Sequence, residues 1–367
     1  VRTRRVDQVG IAGRVSVAAG VGVTLLVGCA GEPSGGGPSW HDPGAAATPA
    51  ASVTTVSPSP PAELRLVFAG DVHFTGRTLG LLDEPATAFG PIAAQLRDAD
   101  LTLVNLETAV TDRGSPEPKR YLFRAPDTAY AALRAAGVDA ASLANNHALD
   151  YGQVGLRDTL AAASAADFPV FGAGRDADAA YAPWLTTVRG TRIAALGMSQ
   201  VHELADRWKP TDSRPGVAMS HDAGRAVAAV RAARQQADLV IVFMHWGIEG
   251  SNCPSGEMTS FAKRLARAGA DIVVGTHAHT LLADGWLDDT YVHYGLGNFL
   301  WYSTSHSTDS GVLRLTVRGR AVVDNEFLPA TVSDTGQPVL VTGRARDRIS
   351  DRIATAARCS GLAAAPN

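Results

Sequence analysis

Apolar positions in this chain cluster into short runs, and several of the runs end in a polar side chain. Five stand out: RLVFAGDVH (65–73), LTLVNLE (101–107), DAASLANNH (139–147), LVIVFMHWG (239–247) and DIVVGTHAH (271–279). Brief apolar runs bounded by Gly and polar residues read as buried strands. Helical spacing fills the intervals. Pro91–Arg97 predicts a helix. Thr128–Ala136 is Ala-rich, and Gly137 stops it. Gln153–Ala166 predicts another helix, and Ile193–Met198 a short strand. Ala223–Gln236 places Val227, Val230 and Ala233 on one face, and Phe261–Ala268 is again helical. Tyr291–Phe299 (YVHYGLGNF) and Gly311–Val317 return to a strand-like pattern. Alternating strands and helices predict an α/β fold, opening at Leu64 and closing near Ala330. Residues 331–367 read as a C-terminal extension whose Arg-rich stretch, Arg344–Arg358, is a solvated terminal helix.

In an open α/β sheet, ligands gather at the carboxyl ends of the strands. The five runs end in Asp71 and His73, Glu107, Asn146 and His147, His245, and His277 and His279. Carboxylate, imidazole and amide without thiolate is a donor set for hard or borderline divalent ions. His277 and His279, two apart after DIVV, form the strongest local metal signal, since neutral imidazole is the commonest metal ligand. Glu107 is a carboxylate able to bridge two ions, Asn146 offers a neutral amide oxygen, and His147 is able to donate a proton to a leaving group. His41, His202, His221, His293 and His306 lack such neighbours and read as surface or core residues.

The ends of the chain change the picture more than its bulk composition does. Hydrophobic residues at 46% and charged residues at 19% describe a globular chain, and a net charge of −3 gives no reason to expect a nucleic-acid partner. Arg2, Arg4 and Arg5 precede an apolar stretch, Val15–Val27, too short to span a bilayer comfortably. This is the layout of an export signal, and the opening Val fits an alternative start codon. The stretch ends Leu26-Val27-Gly28-Cys29, which resembles a bacterial lipobox. Residues 1–28 are therefore expected to be a lipoprotein signal peptide. Cys29 would be the lipidation site, holding the protein outside the cytoplasmic membrane on its outer face. Residues 29–63, rich in Pro, Gly and Ala, bury too little surface to fold and read as a disordered tether. The remaining cysteines, Cys253 and Cys359, are either bonded to each other or two unpaired thiols.

The order D-x-H, strand-end acid, N-H, H and H-x-H resembles the calcineurin-like metallophosphoesterase pattern. NLE, ANNHALDYG, HWGIE and GLGNF narrow the resemblance, over about residues 64–330, to the CapA family, linked to poly-γ-glutamate capsule synthesis. Many members carry Met where this chain has His73. The resemblance implies a four-layer α/β/β/α sandwich and two divalent ions (Mn, Fe or Zn). By motif, Asp71, His73 and His279 would hold one ion and Asn146, His245 and His277 the other. Glu107 would bridge them, and His147 would be the general acid.

Substrate contacts are expected from Arg77, Lys119, Arg120 and Arg124, since guanidinium groups fork onto carboxylate or phosphate. Trp246, Glu249 and Asn298 are expected to shape the pocket rim. One functional expectation is a surface-anchored, metal-dependent hydrolase acting on an anionic polymer or its phosphorylated envelope carrier. Another is a non-catalytic factor for polymer assembly or export, working with a polymer synthase complex. A third is a binding lipoprotein. The chain has neither the G-x-S-x-G nor the H-E-x-x-H motif, which argues against those hydrolase and protease classes.

Overall fold

A computed structural model describes residues 62–304 and 306–367. The signal peptide, Cys29, His41 and nearly all of the tether lie outside the described residues. Two mixed sheets pack face to face. The first runs in the order Pro338–Leu340, Ala321–Val332, Asp309–Arg318, Glu63–Val72, Leu101–Leu106, Ala140–Ser142 and Val170–Phe171, with Asn298–Leu300 paired to the end of Glu63–Val72. The second runs Asp284–Leu287, Thr290–His293, Ile272–His277, Leu239–Trp246, Thr191–Ser199 and Trp184–Val188. The strands from Glu63 to Phe171 in the first sheet are parallel, as are the four central strands of the second.

Alternation along each strand builds the layers. Leu64, Leu66, Phe68, Leu101 and Leu103 point inward and meet Ile193, Ile241, Phe243, Ile272 and Val274 of the other sheet. Val67, Val104, Ala129, Leu133 and Leu156 form the core between the first sheet and its helices, Thr128–Ala136 and Gly152–Ala165. Val230, Val240, Val242, Phe261 and Leu265 do the same between the second sheet and its helices, Ala223–Gln236 and Gly256–Ala268. Strands covered on both faces need continuous apolar runs rather than alternation with polar residues. The result is the expected α/β/β/α sandwich.

The expected closing boundary falls inside an element. Ala321–Val332 crosses position 330, and Pro338–Leu340 extends the first sheet. The Arg-rich stretch forms the helix Gly343–Ala357, with Ile349 and Ala356 buried. Cys253 and Cys359 are joined by a disulfide, with 5.9 Å between their Cα atoms. Residues 331–367 are thus part of the same compact unit. No helix among the described residues is long and apolar enough to cross a membrane.

Candidate metal centre

The parallel strands of both sheets end at one edge, where their terminal side chains converge. Asp71 and Glu107 lie at the ends of neighbouring strands in the first sheet. His245 and His277 are carried by adjacent strands of the second, in which His245 pairs with Thr276 and Trp246 with His277. Asp71, Glu107, His245, His277 and His279 are all at least nine-tenths buried. His279 Nδ1 stands 3.3 Å from Asp71 Oδ2, and His245 Nε2 stands 3.5 Å from Glu107 Oε1. The His277 backbone N–H donates to Asp71 Oδ2 at 3.2 Å, tying the two sheets together.

His277 and His279 have φ of +82° and +54°. A left-handed backbone is uncommon for a residue with a Cβ and costs about 1–3 kcal/mol each. Such strain at adjacent candidate ligands marks a segment shaped by something other than local preference.

Two groups of donors are tight enough to hold an ion. One is Asp71, Glu107 and His245, the other Glu107, His277 and His279; within each group the ligand atoms lie within 4.8 Å of one another. Glu107 belongs to both, as a bridging carboxylate would. The grouping otherwise differs from the one implied by motif, since His245 clusters with Asp71 and His277 with His279. Asn146 contacts His245 instead, through Oδ1 at 2.7 Å from Nε2.

The donor set fits divalent ions on a second count. Both oxygens of Glu107, His73 Nε2 and His277 Nδ1 are buried without a hydrogen-bond partner. An unpaired buried polar group costs about 1–3 kcal/mol, and more when charged. Burial, then the neighbouring Asp71 carboxylate, push Glu107 well above the usual carboxylate range. Burial holds His245 at about 3 and His277 well below the usual imidazole value. Neutral imidazoles are the protonation state a divalent cation requires, and a cation between Glu107 and Asp71 would offset the burial and repulsion that push Glu107 up.

A supporting layer orients these groups. Asn105 Nδ2 donates to Asp71 Oδ1 at 2.8 Å and lies 3.2 Å from His245 Nδ1. Asn145 Nδ2 fixes the Asn105 amide by donating to its Oδ1 at 3.0 Å. His245 Nδ1 also sits 2.9 Å from Thr276 Oγ1, which donates to the Met244 carbonyl at 3.2 Å. Thr276 can therefore accept the Nδ1 proton, which leaves the Nε2 lone pair beside Asn146 Oδ1, two acceptors that a shared cation would reconcile.

His147 stands at the edge of this cluster, with Nε2 3.8 Å from Glu107 Oε1. Its Nδ1 meets Asp150 Oδ2 at 2.6 Å, and Asp150 also accepts from the Phe123 backbone N–H. Lys119, almost wholly buried, lies 2.9 Å from Asp150 Oδ1, 3.4 Å from His147 Nδ1 and against the Asn146 carbonyl. Burial and Lys119 push His147 down, while burial raises Asp150 to about 7 against the pull of Lys119. Phe123 is sandwiched between His147 at 3.9 Å and His73 at 4.4 Å, and Trp301 closes on His73 and His279. His73 thus has its ring among aromatics, and it belongs to neither tight donor group.

The other expected contact residues separate. Glu249 lies on the loop after Trp246 and faces His306. Arg120 rests on the exposed Tyr121 ring. Arg77 is occupied by the carbonyls of Trp301 and Ser303 and braces that loop. Arg124 lies over Tyr151 and donates to the Arg113 carbonyl. Trp246 is not at a rim: it is fully buried among the helices of the second sheet, with Nε1 donating to the Tyr294 carbonyl. Asn298 is likewise fully buried and donates to the Ser307 carbonyl at 3.0 Å. An aromatic residue next to a strand-end ligand points to the opposite face, which is why Trp246 turns inward while His245 faces the centre.

Residues 65–303 match the family model described as bacterial capsule synthesis protein PGA_cap. The chain belongs to this family. Capsule biosynthesis protein CapA of Bacillus anthracis is 28% identical to it over 290 residues, covering 76% of this chain and 70% of that one. PGA biosynthesis protein CapA of Bacillus subtilis is 32% identical over 199 residues, 53% of this chain and 52% of the relative. A probable polyglutamine synthesis accessory protein of Mycobacterium tuberculosis is 33% identical over 213 residues, 56% and 53% of the two chains. This family member thus spans about half the length of the last two relatives. Among solved structures, NAD nucleotidase of Haemophilus influenzae is 15% identical with a TM-score of 0.46, covering 83% of this chain and 64% of that one. A Mycoplasma pneumoniae phosphatase is also 15% identical with a TM-score of 0.46, covering 74% and 94%.

Proposed function

We propose that this family member is a lipid-anchored, extracytoplasmic hydrolase that depends on two divalent ions. It would cleave a phosphoester or a related bond in the making of poly-γ-glutamate or another anionic envelope polymer. The observation that carries the reading is Glu107, buried with both oxygens unpaired and common to two tight donor groups. Two bound ions at such a centre supply an activated water and charge neutralisation for an in-line displacement. The chain's own part is to hold Asp71, Glu107, His245, His277 and His279 in register and to keep bulk water out with Phe123 and Trp301. His147 Nε2–H, facing the centre, would hand its proton to the departing oxygen, while Asp150, raised to about 7, would donate its own proton to Nδ1 and keep the ring neutral. Arg120, exposed beside Tyr121, is the cation that would meet an anionic substrate. The anchor rests on the lipobox-like residues ending at Cys29.

Metal analysis of purified protein, then a panel of phosphoester and γ-glutamyl substrates, tests the enzyme. Asp71→Asn and His279→Ala are expected to lose metal and turnover together. Fully metallated protein with no turnover on any member of the panel would sink the hydrolase. Fatty-acid labelling that persists in Cys29→Ala would remove the anchor.

The names of the relatives, biosynthesis and accessory proteins, favour a second reading as an assembly or export factor that uses the ions for folding or binding. A deletion strain with normal polymer output excludes that role.

A further inference from the structure

Outside the inner donor set, one pair of side chains joins two loops beside His279. Glu249 lies on the loop after Trp246, and His306 on the loop after Leu300. His306 Nε2 meets Glu249 Oε2 at 3.2 Å. The His306 ring lies nearly parallel to His279, with centroids 5.6 Å apart and planes 19° apart. His306 has φ of +60°, so it shares the left-handed backbone of His277 and His279. A Cβ on Gly250, next to Glu249, would come within 3.1 Å of His306 Nδ1, so the two loops pass closely.

Both loops are anchored by the C-terminal segment. Cys253, four residues beyond Glu249, is bonded to Cys359. Arg348 and Arg352, on the Gly343–Ala357 helix, pair with Asp309 at 2.7 and 3.2 Å, and Arg352 also donates to Ser307 Oγ at 3.1 Å. A polar contact between two loose loops is weak because ordering both side chains costs entropy. Loops already anchored at their feet lose less on pairing.

We propose that Glu249 and His306 are a positioning pair that latches the two loops over His279 and holds its imidazole toward an ion. This rests on the metal-centre reading above. His279 has Trp301 on one side, at 4.6 Å, and His306 is the other ring set against it outside the donor set. Contacts of this outer kind fix ligand orientation, and their loss typically costs about 10–100-fold in metal affinity.

The test is calorimetric titration of the full chain with Mn²⁺, comparing wild type, His306→Ala, Glu249→Gln and the double variant. Each single change is expected to weaken the less tightly held ion about tenfold. The double variant is expected to lose no more than the worse single one, because the pair acts as a unit. His306→Gln keeps a donor toward Glu249 and is expected to recover part of the loss. Wild-type affinity in both single variants, or losses that simply add, overturns the proposal. If His306→Ala does not fold, Glu249→Gln, at an exposed position, carries the test. A wild-type protein that takes up no Mn²⁺ defeats the metal-centre reading instead, so the two failures are distinct.

Discussion

His147 and His293 are both buried imidazoles, and their neighbours give them different fates. His147 has Asp150 on one nitrogen and faces the donor cluster with the other. His293 sits between the sheets beside Phe327, with no hydrogen-bond partner on either nitrogen among the described residues. Burial, weakly opposed by Asp284, lowers it from 6.5 to about 4. Above pH 6.5 the ring is neutral folded or unfolded and adds no pH dependence. As pH falls from 6.5 to about 4, only the unfolded chain takes up the proton, so stability drops. The total is on the order of 3 kcal/mol. Urea unfolding at pH 7 and pH 4.5 is expected to show a smaller acid loss in His293→Leu than in wild type; equal losses would contradict the assignment. Residue roles of this kind were only partly legible in the sequence. Asp150 lies inside the ANNHALDYG motif, but its bond to His147 depends on the turn that brings i and i+3 together. Lys119 reaches the same pair from 28 positions away in the chain, which no local pattern encodes.

Elements were more legible than residue roles, because periodicity depends on which face is buried. Thr128–Ala136 and Ala223–Gln236 fold over the spans their apolar spacing predicts. The Gly256–Ala268 helix begins five residues before Phe261, because Ser255 caps it by accepting from the Met258 N–H. The strand Ile272–His277 shows a constraint that periodicity does not carry. A Cβ on Gly275 would lie 2.0 Å from the Tyr294 carbonyl oxygen and 2.3 Å from Trp246 Nε1, which donates a hydrogen bond to that oxygen at 2.9 Å. Gly275→Ala must part them or shift the strand that carries His277. It is expected to cost about 1–3 kcal/mol in denaturant unfolding. A variant as stable as wild type would show that the strand has slack there.

For the molecule as a whole, the candidate centre joins two sheets. Asp71 and Glu107 come from one and His245 and His277 from the other, so ions held there would bind only the folded sandwich. Ligands selective for the folded state stabilise it by about 2.7 kcal/mol at a concentration 100-fold above Kd. Chelation is therefore expected to lower the melting midpoint, and added Mn²⁺ to restore it. An unchanged midpoint in chelator, for protein shown to contain metal, would place the ions elsewhere. The C-terminal segment belongs to the same unit through the Cys253–Cys359 bond and the Asp309 ion pairs. Its composition, Arg-rich and weakly apolar, concealed that role.

By itself the sequence determined which side chains stand at strand ends, because burial on both faces forces continuous apolar runs that stop where the chain leaves the core. That alone points to Asp71, Glu107, His147, His245, His277 and His279 as one site. Tertiary structure alone decided how they group, with Glu107 common to two donor sets and His73 held among aromatic rings. It also decided that Trp246 and Asn298 are buried, that Arg77 and Arg124 are occupied, and that His306 lies against His279. The physical reason is range. Burial patterns are local and repeat along the chain, whereas contacts between loops depend on how two sheets and a C-terminal helix come to rest against one another.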